Sequence, residues 1–206
     1  MPTKAFSAQC FFMMQYYIFY KPFQVLTQFS PEGDKKTLSD FLSQLSKDIY
    51  PAGRLDYDSE GLLVLTNDKS LTHRLLEPKF AHRRTYYVQV EGVPDVKAIQ
   101  QLRQGVMINV NGKMHKTAPA AVTVFSEPPL LPERNPPIRF RKEIPTTWIA
   151  LTITEGKNRQ VRKMTAAVGY PTLRLVRYSI GKITIGDMQP GECKELSSEE
   201  ARLLFN

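Results

Sequence analysis

Gly53-Arg54-Leu55-Asp56-Tyr57-Asp58-Ser59-Glu60-Gly61-Leu62-Leu63-Val64-Leu65-Thr66-Asn67-Asp68 changes character halfway along. Its first half is polar and opens on glycine. Its second half is an unbroken apolar run, Leu62 to Leu65, closed by a polar turn. A short continuous apolar run bounded by turn residues reads as a strand buried on both faces. Asp56 therefore sits on a connection propped against a core strand, the place where a rigid scaffold presents a reactive side chain. A carboxylate held there needs a cationic partner, and Arg54 is the nearest in sequence. Read alone, the pair is equally a surface ion pair at a strand entrance.

Outward from this stretch, strand and helix signals are mixed. Tyr16 to Tyr20 reads as a first strand ending at Lys21-Pro22. Thr37 with Asp40 is a helix start signal, followed by Leu38, Phe41, Leu42 and Leu45 at helical spacing. Ser70 to Glu77 reads as a helix stopped by Pro78, and Arg83 to Val90, rich in β-branched and aromatic residues, as a strand. Pro94 and Gly105 bracket a helix with Val96, Ile99 and Leu102 expected inward. Asn111-Gly112 between Met107–Val110 and Lys113–Thr117 is a hairpin signal. Trp148 to Thr154 is a strand, Arg159 to Val168 a helix ended by Gly169, and Leu173 to Ile180 and Lys182 to Ile185 strands about Gly181. Ser197 with Glu200 opens a last helix as a capping box. Strands outnumber helices and no βαβ alternation or repeat is present. The expectation is an α+β fold on a mixed, mainly antiparallel central sheet with flanking helices.

The 206 residues suffice for one sizeable domain, and 42% hydrophobic with 23% charged residues is ordinary globular composition. The net charge of +8 is regional: residues 131–182 hold eleven Lys or Arg against three Asp or Glu, while the rest has seventeen of each. Such a patch suits a polyanionic partner. Cys10 and Cys193 lie at opposite ends without metal or redox spacing, which points to a reducing compartment. His73, His82 and His115 form no zinc motif. No apolar run reaches the roughly 18 residues of a membrane span, and Phe11 to Phe19 lacks the cleavage site of a signal peptide. Residues 127–145 carry six prolines, interleaved with Arg134, Arg139, Arg141 and Lys142. A long irregular loop inside a compact domain is commonly functional.

Two further constellations carry chemistry. In Glu155-Gly156-Lys157-Asn158-Arg159-Gln160-Val161-Arg162-Lys163-Met164, helical spacing puts Arg159, Arg162 and Lys163 on one face. Cations at a helix start behind a glycine loop attract an anion, whether a phosphate or a catalytic carboxylate. Tyr86, behind Arg83-Arg84, combines an aromatic ring with cations, the chemistry of base stacking over a neutralised backbone; the plainer reading is a core tyrosine.

These stretches together resemble the RsuA-type ribosomal RNA pseudouridine synthases. Gly53-Arg54-Leu55-Asp56, with Ser59, Gly61 and the run to Asp68, resembles their first motif. Arg84-Thr85-Tyr86-Tyr87-Val88 resembles the second, with Arg84 where a lysine is common, and Glu155 to Met164 the third. The resemblance covers about Tyr17 to Phe205. It implies a pseudouridine synthase fold with a basic cleft, a loose extension over residues 1–15 and one catalytic domain over 16–206. Most members of this branch carry a small S4-type RNA-binding domain before the first strand; none is expected here. That feature, with Pro136-Pro137-Ile138-Arg139 and Ile144-Pro145-Thr146, is similar to short members acting on large-subunit (23S) rRNA.

Residue by residue, the resemblance implies Asp56 as the catalytic aspartate. It implies Tyr86 as the ring stacking on the target uracil, and Arg162 as the buried guanidinium that meets Asp56 and keeps it ionised. Arg54 would act in the RNA groove beside the flipped base, and Lys157, Asn158, Arg159 and Lys163 on the RNA backbone. Isomerising uridine gains and loses no atoms, so no cofactor, metal or redox group is required. Free rRNA or an assembling large subunit would be the partner, and the protein a cytoplasmic monomer away from membranes. Two rivals remain at this level: an rRNA-binding assembly factor that does not use Asp56, and a glycoside or nucleoside hydrolase using Asp56 and Asp58 as a carboxylate pair.

Overall fold

A computed structural model of the chain describes residues 13–138 and 144–205. Most of the extension expected over residues 1–15, together with Cys10, Arg139, Arg141 and Lys142, lies outside the described residues. The main sheet runs in the order Cys193–Leu196, Tyr16–Lys21, Glu60–Thr66, Thr172–Ile180, Arg84–Glu91, Thr146–Ile153, Ala121–Val124, with two short strands added at its sides. Every neighbouring pair along this order is antiparallel except one: Glu60–Thr66 runs parallel to Thr172–Ile180, through Glu60 opposite Val176 and Gly61 opposite Arg177. The expected α+β architecture on a mixed, mainly antiparallel sheet is thus present.

The apolar run is explained by its place. Every residue of Glu60–Thr66 is buried. Leu62 and Val64 pack into one core with Leu71, Leu75 and Ala201, while Leu63 and Leu65 face a second core with Phe19, Leu38 and Leu42. Alternate side chains of a strand point to opposite faces, and both are covered, so the run has no polar interruption. A third core under the other half of the sheet gathers Val88, Val90, Ile99, Leu102, Ile149, Leu151, Val161 and Met164.

Local signals held with three corrections. The helix Lys69–Leu76 is capped by Asp68, which accepts from the Ser70 and Leu71 amides, and Ser197 with Glu200 forms the full capping box. Asn111 and Gly112 both take positive φ at the hairpin, at 53° and 83°. In Val96–Gln104, however, Ala98, Ile99 and Leu102 are buried while Val96 is 74% exposed. Val96 is the first residue of this helix, where its side chain projects past the core it was expected to join. The helix expected after Thr37 shrinks to one turn, Ser39–Leu42, although its start signal is present: the Asp40 carboxylate reaches back to accept from the Thr37 amide at 2.8 Å. Finally, Arg159 is not in its helix. It takes a left-handed φ of 53° immediately before Gln160–Ala167.

The parallel joint depends on Gly61. Its φ is +104°, and a Cβ there would lie 2.4 Å from the Arg177 carbonyl oxygen and 2.7 Å from the Arg177 amide nitrogen. Neither backbone atom can move without breaking the sheet. Gly61→Ala is expected to destabilise the protein by about 3 kcal/mol or more, combining overpacking with left-handed strain. A urea-unfolding midpoint within error of the wild type would contradict this.

Candidate active site

The parallel joint also sets the position of a cleft of about 680 Å³, lined among others by Arg54, Asp56, Arg84, Tyr86, Arg159 and Arg177. The connection carrying Asp56 enters it from the strand Glu60–Thr66 and is gripped from several sides. The Thr27 hydroxyl donates to the Leu55 carbonyl at 2.8 Å and accepts from the Leu55 amide at 3.2 Å. The Gln24 amide donates to the Tyr57 carbonyl, and the Ser59 amide closes a turn onto the Asp56 carbonyl. Arg177 contributes a guanidinium contact to the Arg54 carbonyl at 3.4 Å. Leu55 points into the third core beside Tyr86, so the flanking residues Arg54 and Asp56 face away from that core. Tyr86 itself is buried, with 9% exposure, on the strand Arg84–Glu91, directly opposite Arg177.

The third motif reaches the same cleft through a tight connection. The Gln160 side chain accepts from the Lys157 amide at 2.9 Å and donates to Glu155 at 2.6 Å. Glu155 in turn accepts from the Ala118 amide and meets His115. This network fixes the connection from Glu155 to Gln160, leaving Lys157, Asn158 and Arg159 on the exposed rim of the cleft.

The expected meeting of Asp56 with Arg162 is where the structure differs. Arg162 faces Asp58: its Nε lies 3.4 Å from the Asp58 carboxylate and its Nη2 donates to the Asp58 carbonyl at 2.5 Å. Its Nη1 reaches the Thr172 carbonyl at 3.4 Å. The cation nearest Asp56 among the described ion pairs is Arg159, at 4.0 Å, and Arg159 also holds Asp58 in a two-pronged fork at 2.7 and 2.8 Å. The reason is local. The Gln160–Ala167 helix packs Val161 and Met164 into the third core beside Leu175, and from there Arg162 spans the Asp58 and Thr172 carbonyls, whereas Arg159, in the left-handed turn before the helix, lies between Asp56 and Asp58. Lys163 is half-buried and does not line the cleft, so its placement separates it from Lys157, Asn158 and Arg159.

The electrostatics follow. Burial pushes the Asp58 carboxyl up, but the hydrogen bonds from Arg159 and the charges of Arg162 and Arg159 outweigh it and hold the group below the usual carboxylate range. Lys21 lies fully buried behind this connection, opposite Gly61, and donates to the Pro22 and Val25 carbonyls at 2.9 and 2.8 Å. Burial pushes its ammonium down to about 7, against the pull of Glu60, Asp58 and Asp56. Sequence reasoning missed Asp58 as an anchor, and Lys21 and Arg177 altogether. Lys21-Pro22 read only as a strand end, and an arginine inside an apolar strand was the one available sign of Arg177.

A family model described as RNA pseudouridylate synthase matches residues 15–167. The chain is 54% identical over 179 residues to the ribosomal large subunit pseudouridine synthase E of Vibrio parahaemolyticus, a match spanning 87% of this chain and 72% of that protein. It is 50% identical over 184 residues to the protein of the same name from Xanthomonas axonopodis pv. citri, spanning 88% and 94%. A crystal structure of a pseudouridylate synthase superposes with a TM-score of 0.74 at 26% identity, covering 93% of this chain and 74% of that one. The chain belongs to the RNA pseudouridylate synthase family, in its RsuA-type branch, and is by class an isomerase.

Lys21 has a measurable signature. Its proton is retained in the unfolded chain up to the ordinary 10.5 but leaves the folded chain near 7. Between those values the unfolded state binds more protons, so this residue's contribution to stability rises with pH. From pH 7 to pH 9 the wild type is expected to gain on the order of 2 kcal/mol relative to Lys21→Met. Urea titrations at the two pH values test this; a constant difference between the proteins would mean that Lys21 stays charged in the fold.

Proposed function

We infer that the protein isomerises a specific uridine of large-subunit (23S) ribosomal RNA to pseudouridine, using Asp56 on a base extruded into the cleft. The observation that carries this reading is the convergence of Asp56, Tyr86 and the third-motif loop on one cleft at the parallel joint, in a chain about half identical to proteins named for that activity. Arg54, Arg84, Lys157, Arg159 and Arg177 line the same cleft with Asp56, Glu77 and Glu155, a surplus of cations that suits an RNA backbone.

Each residue has a distinct task in this reading. Asp56 is one-third exposed with its nearest ion-pair partner among the described residues at 4.0 Å, so its carboxylate is available to react. It acts either as nucleophile toward sugar or base, or by drawing a sugar proton. Asp58 is committed to two arginines and absent from the cleft lining, so it acts as an anchor. That assignment argues against a hydrolase using the two carboxylates as an acid–base pair. Arg162 ties the Asp58 carbonyl to that of Thr172 and so locks the first motif to the third. It keeps its expected importance to catalysis, but as a positioning residue acting through the connection. Extruding a base costs roughly a few kcal/mol, and stacking on Tyr86 returns about 1–3 kcal/mol. Arg54, Lys157, Asn158 and Arg159 hold the RNA at the rim, and Lys163 continues the backbone track outside the cleft. No cofactor is needed for the conversion. The reading extends to a monomer working in the cytoplasm, with residues 16–206 as the catalytic domain.

Asp56→Asn is expected to abolish pseudouridine formation, read by chemical tagging of treated rRNA, while RNA affinity stays within about threefold. Asp58→Asn is expected to lower both activity and thermal stability. Retained turnover in Asp56→Asn would remove that residue from the chemistry, and untagged rRNA after treatment with the wild type would leave only an RNA-binding role.

The proline-rich segment is built onto the catalytic half. Arg134 donates to the Pro136 and Pro137 carbonyls and lies 4.1 Å over the Phe23 ring, and the Glu60-bound Arg174 donates to the Pro132 carbonyl at 2.8 Å. We take this segment to help choose the uridine. Replacing residues 127–145 by a short Gly-Ser linker is expected to shift or lose the mapped site while a minimal RNA fragment is still bound; an unchanged map would refute the role.

A further inference from the structure

Arg84 and Arg177 stand on adjacent antiparallel strands on either side of Tyr86, which is Arg177's direct cross-strand partner. Both line the cleft. Arg177 is 5% exposed; its Nε donates to the Leu62 carbonyl at 2.7 Å, its Nη1 reaches the Arg54 carbonyl, and its Nη2 is buried without a hydrogen-bond partner. Arg84 spends one nitrogen on the Leu75 carbonyl at 2.6 Å. Neither guanidinium joins an ion pair among the described residues, although Asp58, Glu60 and Glu155 nearby are all matched with cations or His115. Burial holds the Arg84 guanidinium below its ordinary range, and the charge of Arg177 pushes the same way. Two guanidinium groups side by side in the cleft, neither offset by a carboxylate among the described residues, are costly unless something with negative charge comes to them.

We propose that Arg84 and Arg177 form a two-guanidinium seat for a carbonyl oxygen of the extruded uracil, and are substrate-contacting residues of the isomerisation. This rests on the function proposed above. When the N1–C1′ bond breaks, its electron pair stays with the base and spreads onto O2 and O4. It returns to carbon when C5–C1′ forms, and the proton lost from C5 ends on N1. Donors fixed where that charge develops stabilise the detached base more than the bound substrate, which is what accelerates a reaction. Stacking on Tyr86 points the rim of the base at the two strands carrying the arginines. The phosphate of the same nucleotide is the other oxygen source, but it lies on the RNA backbone, which the exposed rim residues serve.

The test uses the full chain and a large-subunit rRNA fragment containing the uridine mapped with the wild type. That uridine is replaced in turn by 2-thiouridine and 4-thiouridine, whose sulfur is a poor acceptor. With the wild type, one of the two thio substitutions is expected to slow single-turnover pseudouridine formation by about tenfold or more. In Arg84→Gln, and in Arg177→Lys, the unsubstituted RNA is expected to react slowly and the same thio substitution to add less than about twofold, as residues acting on one atom are non-additive. If neither thio substitution slows the wild type, the proposal fails whether or not the variants fold. If the thio effect persists undiminished in Arg84→Gln, or only a methylphosphonate at the target nucleotide is sensitive to the two variants, the arginines serve the scaffold or the backbone and the proposal fails. A wild type that forms no pseudouridine on the unsubstituted fragment would instead remove the functional reading beneath it.

Discussion

The structure depends on one close approach. Gly61 lies against the backbone of Arg177, and through that contact two antiparallel half-sheets become a single sheet with one parallel joint. The joint is short, with two residue pairs in register, so the strands part beyond it and the cleft opens there. The same residue that makes the backbone contact sends its guanidinium to the Leu62 and Arg54 carbonyls. The connection carrying Asp56 is therefore fastened by the residue that closes the sheet. A distortion at residue 61 would be felt at residue 56 without any side chain of the site being touched.

Charge is handled in layers. The deepest carboxylate among the described residues, Glu60, is matched by Arg174 in a bidentate pair, and Lys21 is buried near it, its ammonium pushed down to about 7 by burial. Asp58, higher up, is matched by two arginines from the third motif. Asp56, at the cleft, has its nearest ion-pair partner among the described residues, Arg159, at 4.0 Å. Buried ion pairs contribute little net stability but are costly to break singly. Their worth here is geometric: they fix segments a hundred residues apart in sequence so that the exposed carboxylate sits in one place. In the cleft, Arg84 and Arg177 are left without a carboxylate partner among the described residues.

Much of this was legible in the chain. Leu62 to Leu65 announced a strand covered on both faces, Ser197 with Glu200 announced a helix start, and Asn111-Gly112 a tight hairpin, because each depends on backbone preferences of adjacent residues. The motif residues Arg54, Asp56, Tyr86, Lys157, Asn158 and Arg159 do line one cleft. Helical spacing misled at Arg159 and Val96, because it assumes that a helix includes its first candidate residue and buries it.

The sequence by itself determined the strands, most helix ends, the family and the residue types assembled at the site, since these follow from local periodicity, capping and motif identity. Only the tertiary structure decided which carboxylate each arginine meets. Arg162 and Arg159 are both within reach of Asp56 and Asp58 on paper; packing of the Gln160–Ala167 helix and the left-handed turn before it assigns Arg162 to Asp58 and places Arg159 between the two. Partner choice among like-charged side chains turns on differences of an ångström or two set by distant packing, and no spacing along the chain encodes them.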